Sequence, residues 1–259
     1  MRLSPGWKLP PLTALFLALL CGCPHPQRVA PAAPEAVPPA APVPGAPGTP
    51  APHLGTPHDI LPQSSLLTLL VYRGGALASA GHNHVIASHD LSGTIYVSQP
   101  IAQSSFEVHV PVASLTVDEA VLRAQQPAAE FPADVSDSAK AGTRRNMLGE
   151  ALLDAGQHPE IVLRSLQLEA TPGAADSGTV MAQVQSSVRG QLRSFTVPVR
   201  YRLGTNGMVE ASGEFPLRQT DLGLTPFSAM LGALQVQDEM RVSFHILAQA
   251  APHASGPRS

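Results

Sequence analysis

The sequence lacks the features of the commonest enzymes and nucleic-acid-binding proteins. Its two cysteines stand together at Cys21 and Cys23, so no disulfide can cross-link the rest of the chain and no thiol there can be a nucleophile. Charged residues are 14% of the 259 and the net charge is -3, which gives no basic surface for nucleic acid. Aromatic residues are 4%, which leaves Leu, Val and Ile to form the core. No nucleophile elbow, P-loop or dinucleotide motif occurs, so the sequence predicts neither an enzyme nor a bound cofactor.

The chain begins with the pattern of a secretory signal. Two basic residues, Arg2 and Lys8, precede an apolar run at 12–20. A run of about nine residues matches the apolar core of a signal peptide and is too short to cross a bilayer as a permanent helix. The protein is therefore predicted to leave the cytoplasm.

The end of that run resembles a bacterial lipobox, in which a small residue precedes the cysteine that receives the lipid. Cys23 follows Gly22 and fits this pattern, whereas Cys21 follows Leu20 and fits it poorly. Residues 1–23 are interpreted as a lipoprotein signal peptide with Cys23 as the lipid anchor. An ordinary cleaved signal peptide is the alternative. The expected location is periplasmic, tethered to a bacterial membrane, with the outer membrane as first choice.

A proline-rich segment separates this leader from the rest of the chain. Residues 24–60 are mostly Pro and Ala, a composition that offers few side chains to bury and favours extended, polyproline-like conformations. We interpret them as a disordered linker that acts as a semi-rigid spacer. Residues 251–259 are interpreted as a disordered tail. The folded domain is thus predicted at 61–250.

Within this domain the hydrophobic pattern is that of β-strands. Apolar and polar residues alternate in short segments bounded by turn residues, and Asn206-Gly207 is a strong hairpin signal. Residues 137–153 instead have helical spacing, and the apolar run SAMLGAL at 228–234 is predicted to form a helical plug. The predicted strands lie at 66–72, 82–87, 91–97, 105–115, 160–168, 180–188, 191–203, 208–217 and 240–246. Short strands at this spacing predict an all-β sandwich or barrel.

The order of these segments resembles the YceI-like family of bacterial periplasmic proteins. The likeness covers most of 64–248 and is strongest in HPEIVLRS, VRGQLRSFTVPV and the TDLGL turn. It implies an antiparallel, lipocalin-like β-barrel, here of about eight strands with one helical excursion. It also implies an interior that holds an isoprenoid chain, such as the tail of a polyprenyl quinone. The expected partners are therefore a hydrophobic lipid ligand and, through the anchor, a membrane.

The inward positions of the predicted strands are candidates for the wall of a cavity. An eight-stranded barrel has an interior just wide enough to be filled by side chains or to hold one small ligand. The alternative is that the same side chains fill a solid core, as in a structural envelope lipoprotein. The candidate wall residues are Phe106, Val108, Val110, Leu163, Val197, Val199, Val242, Phe244 and Ile246.

His82 and His84 are the sharpest polar feature. On a strand, residues two apart point to the same face, as a metal site requires, and His89, His109 or His245 could add a third ligand. A metal-dependent hydrolase is therefore the second hypothesis for function. No acidic or cysteine partner lies nearby in the sequence, so a polar strand end is the preferred interpretation and no metal site is predicted.

Overall fold

The architecture comes from a computed structural model, which describes residues 53–171 and 176–251. The predicted signal peptide with Cys23, residues 24–52 of the predicted linker and residues 252–259 of the predicted tail lie outside the described residues.

The described residues form a single antiparallel sheet with two α-helices. Every strand pairing in it is antiparallel. The helices are α1 (Ala120–Ala124) and α2 (Asp137–Leu148). The strands are β1 (Thr56–Ile60), β2 (Leu66–Gly74), β3 (His84–Ser88), β4 (Ser92–Val97), β5 (Ser105–Pro111), β6 (Thr116–Val117), β7 (Glu160–Ala170), β8 (Ser177–Val188), β9 (Gln191–Leu203), β10 (Met208–Arg218), β11 (Ser228–Ala229) and β12 (Leu234–Ala250).

Eight of the strands close into a barrel. They follow one another in the order β1-β4-β5-β7-β8-β9-β10-β12, and β12 pairs with β1 to complete the ring. Closure leaves no unpaired edge in that ring, which is how an all-β domain of this kind avoids edge-to-edge association. The prediction of an all-β, antiparallel barrel of about eight strands with a helical excursion is confirmed.

The wall of the barrel continues beyond this ring on one side. The strand β12 is 17 residues long and has room for two partners on the same edge. Its end at Ala248–Ala250 pairs with β1, whereas its earlier part, from Gln235 to His245, pairs with β2. The strand β3 then pairs with β2, and β6 with β3. We call the end of the barrel where β2 and β10 finish and β3 and β12 begin the mouth, and the opposite end, at β1, the base.

The helix α2 lies at the mouth. The side chain of Ser136 caps its first turn by accepting a backbone N–H at 3.2 Å, and Asp137 places negative charge at its N-terminus. The sequence predicted a helix over 137–153, but α2 ends at Leu148 because Gly149 turns the chain away. No helix in the described part of the chain is long and apolar enough to cross a membrane.

The predicted plug at 228–234 is a hairpin rather than a helix. The strand β11 pairs with the start of β12 across a tight turn at Met230, Leu231 and Gly232, all with positive φ. Both Met230 and Leu231 are exposed to solvent. The prediction was wrong because seven residues are too few for spacing to separate a helix from a short turn between paired strands.

The barrel also begins earlier than the sequence suggested. Residues 56–60, which fell within the predicted linker, form β1 between β4 and β12. His58 and Ile60 of this strand are buried. Sequence patterns did not reveal this strand. It follows a proline-rich segment, contains Pro57 and has too few apolar residues to show a clear alternation.

Candidate functional site

The barrel encloses a cavity of about 640 Å³ with a largely apolar wall. Apolar side chains reach it from β2, β3, β4, β5, β7, β8, β9, β10 and β12, and from α2. Between residues 240 and 246 of β12 the wall residues recur at every second position, as Met240, Val242, Phe244 and Ile246. This is the alternation expected when one face of a strand points into a barrel. The interior is therefore hollow, contrary to the filled-core alternative.

All nine predicted wall residues line this cavity. They are Phe106, Val108, Val110, Leu163, Val197, Val199, Val242, Phe244 and Ile246. The period-two rule selected them because each belongs to a strand whose two faces differ in polarity. Their contact with a ligand stays a prediction.

The sequence pattern did not identify some other residues of the cavity wall. Leu67, Leu69 and Val71 of β2 line the cavity, but both faces of that strand are apolar, so alternation could not tell inward from outward. The outer face is covered too, because Tyr72 packs edge-to-face on Phe131 at a ring distance of 5.8 Å. Pairing register is the signal that could have found them, since each lies opposite a neighbour in β12.

The base of the barrel is closed by packed side chains. Ile60, Val209 and Ala248 are 5%, 4% and 0% exposed and belong to one buried apolar cluster. None of the three lines the cavity. The cavity is therefore blind at the base.

The mouth is where the polar lining residues gather. Four of them are exposed to solvent, so the cavity opens there. They come from the end of β2, the start of β3, one face of α2, the turn after β10 and the start of β12. The polar lining residues are Arg73, His82, His84, Thr143, Asn146, Gln219 and Gln235, of which Arg73, His82, Asn146 and Gln235 are exposed. An apolar, blind body with a polar opening suits a molecule that has a hydrocarbon chain and a polar head.

At the mouth, His84 is held by a buried carboxylate. Its Nδ1 lies 2.7 Å from Oδ2 of Asp118, whose side chain is fully buried. Asp118 also accepts the backbone N–H of Val85 at 2.8 Å and pairs with Arg123 at 2.6 Å. Burial opposes ionisation of Asp118, but the hydrogen bonds from His84 and Val85, together with the charges of His84 and Arg123, outweigh it and lower its pKa.

This carboxylate fixes the hydrogen-bond role of one ring nitrogen of His84. A carboxylate can only accept hydrogen bonds, so Nδ1 of His84 must donate to Asp118. In the neutral ring the other nitrogen, Nε2, is then an acceptor, and it lies 3.1 Å from the hydroxyl oxygen of Thr143 on α2. With the ring in this neutral form, the hydroxyl of Thr143 donates to Nε2 of His84.

These contacts argue against the metal site of the second hypothesis, which needs a free ring nitrogen on both His82 and His84. Both ring nitrogens of His84 are already hydrogen bonded, which leaves only His82 of the pair. Among residues 53–171 and 176–251, no group of three or more His, Cys, Asp or Glu side chains is placed to hold a metal ion. The other histidines considered as ligands contact separate carboxylates: His89 contacts Glu119, His109 contacts Glu107 and Glu160, and His245 contacts Glu210.

The sequence of this domain matches a known protein family. A model of the YceI-like domain matches residues 76–248, which is more than half of the chain. The chain belongs to the YceI-like family. The barrel wall of this YceI-like protein also includes β1 and β2, both of which precede the matched range. No curated protein sequence matches the chain.

Two solved structures share the fold at low sequence identity. The crystal structure of Burkholderia cenocepacia BcnA is 15% identical with a TM-score of 0.52, covering 73% of this chain and 99% of its own. A polyisoprenoid binding domain from Saccharophagus degradans, implicated in plant cell wall breakdown, is 9% identical with a TM-score of 0.51, covering 75% of this chain and 98% of its own. At these identities the likeness is one of fold.

Proposed function

We propose that this YceI-like protein is a membrane-tethered binding protein that holds an isoprenoid or similar amphiphilic lipid in its barrel, outside the cytoplasm. The observation that carries the proposal is the blind apolar cavity with its polar residues gathered at the mouth. The chain of an amphiphile would occupy the body of the cavity, where about 0.8 kcal/mol is gained for each buried methylene group. Its head would stay at the mouth, in contact with solvent.

The size of the cavity agrees with such a ligand. A volume of about 640 Å³ lies within the range of roughly 300–1,000 Å³ seen for small-molecule sites. A water-sized group occupies about 30 Å³ in a liquid, so the cavity has room for roughly 20 non-hydrogen atoms. That is about four isoprene units. The fold shared with the Saccharophagus degradans domain, described as polyisoprenoid binding, supports the same class of ligand.

A change at one wall residue tests the proposal. Ala211 lines the cavity on β10, so Ala211→Phe would place a ring in the space that the hydrocarbon chain of the lipid would occupy. Overfilling costs about 1–3 kcal/mol, which predicts a loss of affinity for a prenyl alcohol of about 20 carbons of roughly tenfold or more. The matched control is Ser212→Phe, since the neighbouring strand residue points to the opposite face. Fluorescence displacement measures both. Equal affinities for the wild type and Ala211→Phe would contradict the proposal.

The tethered location belongs to the same proposal and has its own experiment. Cys23 follows Gly22 in the lipobox-like sequence, and Cys21 does not follow a small residue. Replacing Cys23 with Ser should move the protein from the membrane fraction to the soluble extracytoplasmic fraction of a bacterial host. The control, Cys21→Ser, should leave it in the membrane fraction. Release by both variants or by neither would argue against Cys23 as the anchor.

A further inference from the structure

Three side chains form a continuous hydrogen-bonded chain at the cavity mouth. The carboxylate of Asp118 lies 2.7 Å from Nδ1 of His84, and Nε2 of His84 lies 3.1 Å from Oγ1 of Thr143. Thr143 stands in the middle of α2, where a threonine hydroxyl often bonds to a carbonyl one turn back. Here His84 is its only hydrogen-bond partner among the described residues. Both His84 and Thr143 line the cavity.

The hydrogen-bonded series of Asp118, His84 and Thr143 has the geometry of an activated nucleophile. A hydroxyl within hydrogen-bond reach of a histidine, which a carboxylate in turn orients, is the arrangement that acyl-transfer enzymes use on unrelated folds. We propose that the cavity mouth hydrolyses an ester whose apolar chain lies in the barrel. Thr143 is the nucleophile, His84 the general base and Asp118 the positioning residue. The inference rests on the proposed function, since the barrel must first hold the apolar chain of the ester.

Buried contacts of Arg123 and Asp118 hold His84 in this orientation. The guanidinium of Arg123 bonds to Asp118 at 2.6 Å, to the carbonyl of Asn83 at 2.9 Å and to that of Pro132 at 2.7 Å. The side chains of Asp118 and Arg123 are 0% and 3% exposed, so water does not weaken these contacts. A base held by buried partners needs no reorganisation when the nucleophile loses its proton.

The reaction proceeds in two balanced steps. The hydroxyl oxygen of Thr143 bonds to the ester carbonyl carbon while its proton moves to Nε2 of His84. The tetrahedral species collapses, the bond between carbon and the alcohol oxygen breaks, and the alcohol leaves with the proton from His84. Water then attacks the acyl-threonine and gives one proton to His84, which returns it to Thr143 as the acid leaves.

Asn146 completes the site as donor to the negative oxygen of the tetrahedral species. It lies three residues after Thr143 on α2, so the two side chains share one face of the helix. Asn146 also lines the cavity, and its side chain is exposed at the mouth. A side-chain amide in this role contributes about 100-fold or more to the rate in other acyl-transfer enzymes.

Turnover of a long-chain ester tests the assignment. The wild-type protein should release nitrophenol from p-nitrophenyl decanoate roughly 100-fold faster than Thr143→Val, which keeps the shape of the side chain and removes its hydroxyl. Thr143→Ser should retain activity. Peptide mass spectrometry after brief exposure should find the decanoyl group on Thr143 in the wild type. The matched control is Ser138→Ala, an exposed residue of the same helix, which should leave the rate unchanged.

Binding of a fluorescent fatty-acid probe separates this inference from the proposed function. Thr143→Val should still bind the probe, because the apolar body of the cavity keeps its shape. If the wild type binds the probe but cleaves the ester no faster than Thr143→Val, the ester site is refuted and the lipid-binding function stands. If the wild type neither binds nor cleaves, both are refuted.

Discussion

Gly213 on β10 lies directly opposite Phe244 on β12, and a β-carbon built on Gly213 would come within 2.6 Å of the Phe244 ring. The same β-carbon would lie 2.6 Å from the carbonyl oxygen of Pro198 on the neighbouring strand. Because glycine at position 213 has no β-carbon, the ring of Phe244 can occupy this space. Since Phe244 lines the cavity, this pair helps to set the shape of its wall.

Gly213→Ala should lower the free energy of unfolding by about 1–3 kcal/mol, because the Phe244 ring and the Pro198 backbone must both move. Urea denaturation measures the change. Gly142→Ala is the matched control: apart from its chain neighbours and the backbone of its own helix, no atom lies within 4 Å of its added β-carbon, and alanine in a helix interior stabilises by up to about 1 kcal/mol. A variant at 213 that unfolds at the wild-type urea concentration would contradict the tight contact.

Affinity for prenyl alcohols should depend on chain length up to the capacity of the cavity. Each added isoprene unit buries more apolar surface until the cavity of about 640 Å³ is full, at roughly 20 carbons. Beyond that length the blind base forces the chain out of the mouth, and the affinity should level off. Calorimetry on a series of increasing length checks this. An affinity that ignores chain length would count against the cavity as the binding site.

Asp118→Asn should destabilise the protein by about 3–5 kcal/mol, because it leaves the buried guanidinium of Arg123 without its counter-charge. The same substitution type at an exposed pair, Glu214→Gln opposite Arg241, should cost much less, because water screens the charges there. Thermal and urea unfolding compare the two. Similar small losses at both positions would show that the Asp118–Arg123 pair does not hold this part of the mouth together.

His109 should make part of the stability depend on pH. Its ring lies 2.8 Å from Glu107 and 2.9 Å from Glu160, and Arg164 also pairs with Glu107. Burial lowers the pKa of His109, but the hydrogen bonds to Glu160 and Glu107 outweigh it and raise the pKa above its usual value. The folded state therefore favours the charged ring.

The stability from His109 is fully present below the unfolded pKa of about 6.5 and is lost as the pH rises through the higher folded pKa. The wild type should thus exceed His109→Asn in stability most at acid pH, with the difference shrinking towards alkaline pH. Urea denaturation of both proteins across this range provides the measurement. A difference that grows with pH would show that the carboxylates do not stabilise the charged ring.

The sequence predicted the barrel and much of its wall because both depend on local alternation. Val108 and Val242, for example, are inward on strands whose other face is polar, so period two was enough. Leu67 was missed because β2 is apolar on both faces. For Thr56–Ile60, composition indicated a linker, but pairing with β4 and β12 makes it a strand.

The polar arrangement at the mouth could not be predicted in the same way. Asp118 is 34 residues from His84 in the chain, and Thr143 is 59 residues from it. No local spacing links them, because the three come from a loop, a strand and a helix that only the closed fold brings together. The acidic partner of His84, which is absent from the neighbouring sequence, is therefore supplied by Asp118 from a distant part of the sequence.

Mass spectrometry of the lipid released from the purified protein decides whether the barrel holds a lipid. Organic extraction of the wild type should yield about one long-chain amphiphile per protein, and the Ala211→Phe variant, made in the same host, should yield much less. A wild-type protein that releases no stoichiometric lipid, or a variant that releases as much as the wild type, would contradict a lipid-holding barrel.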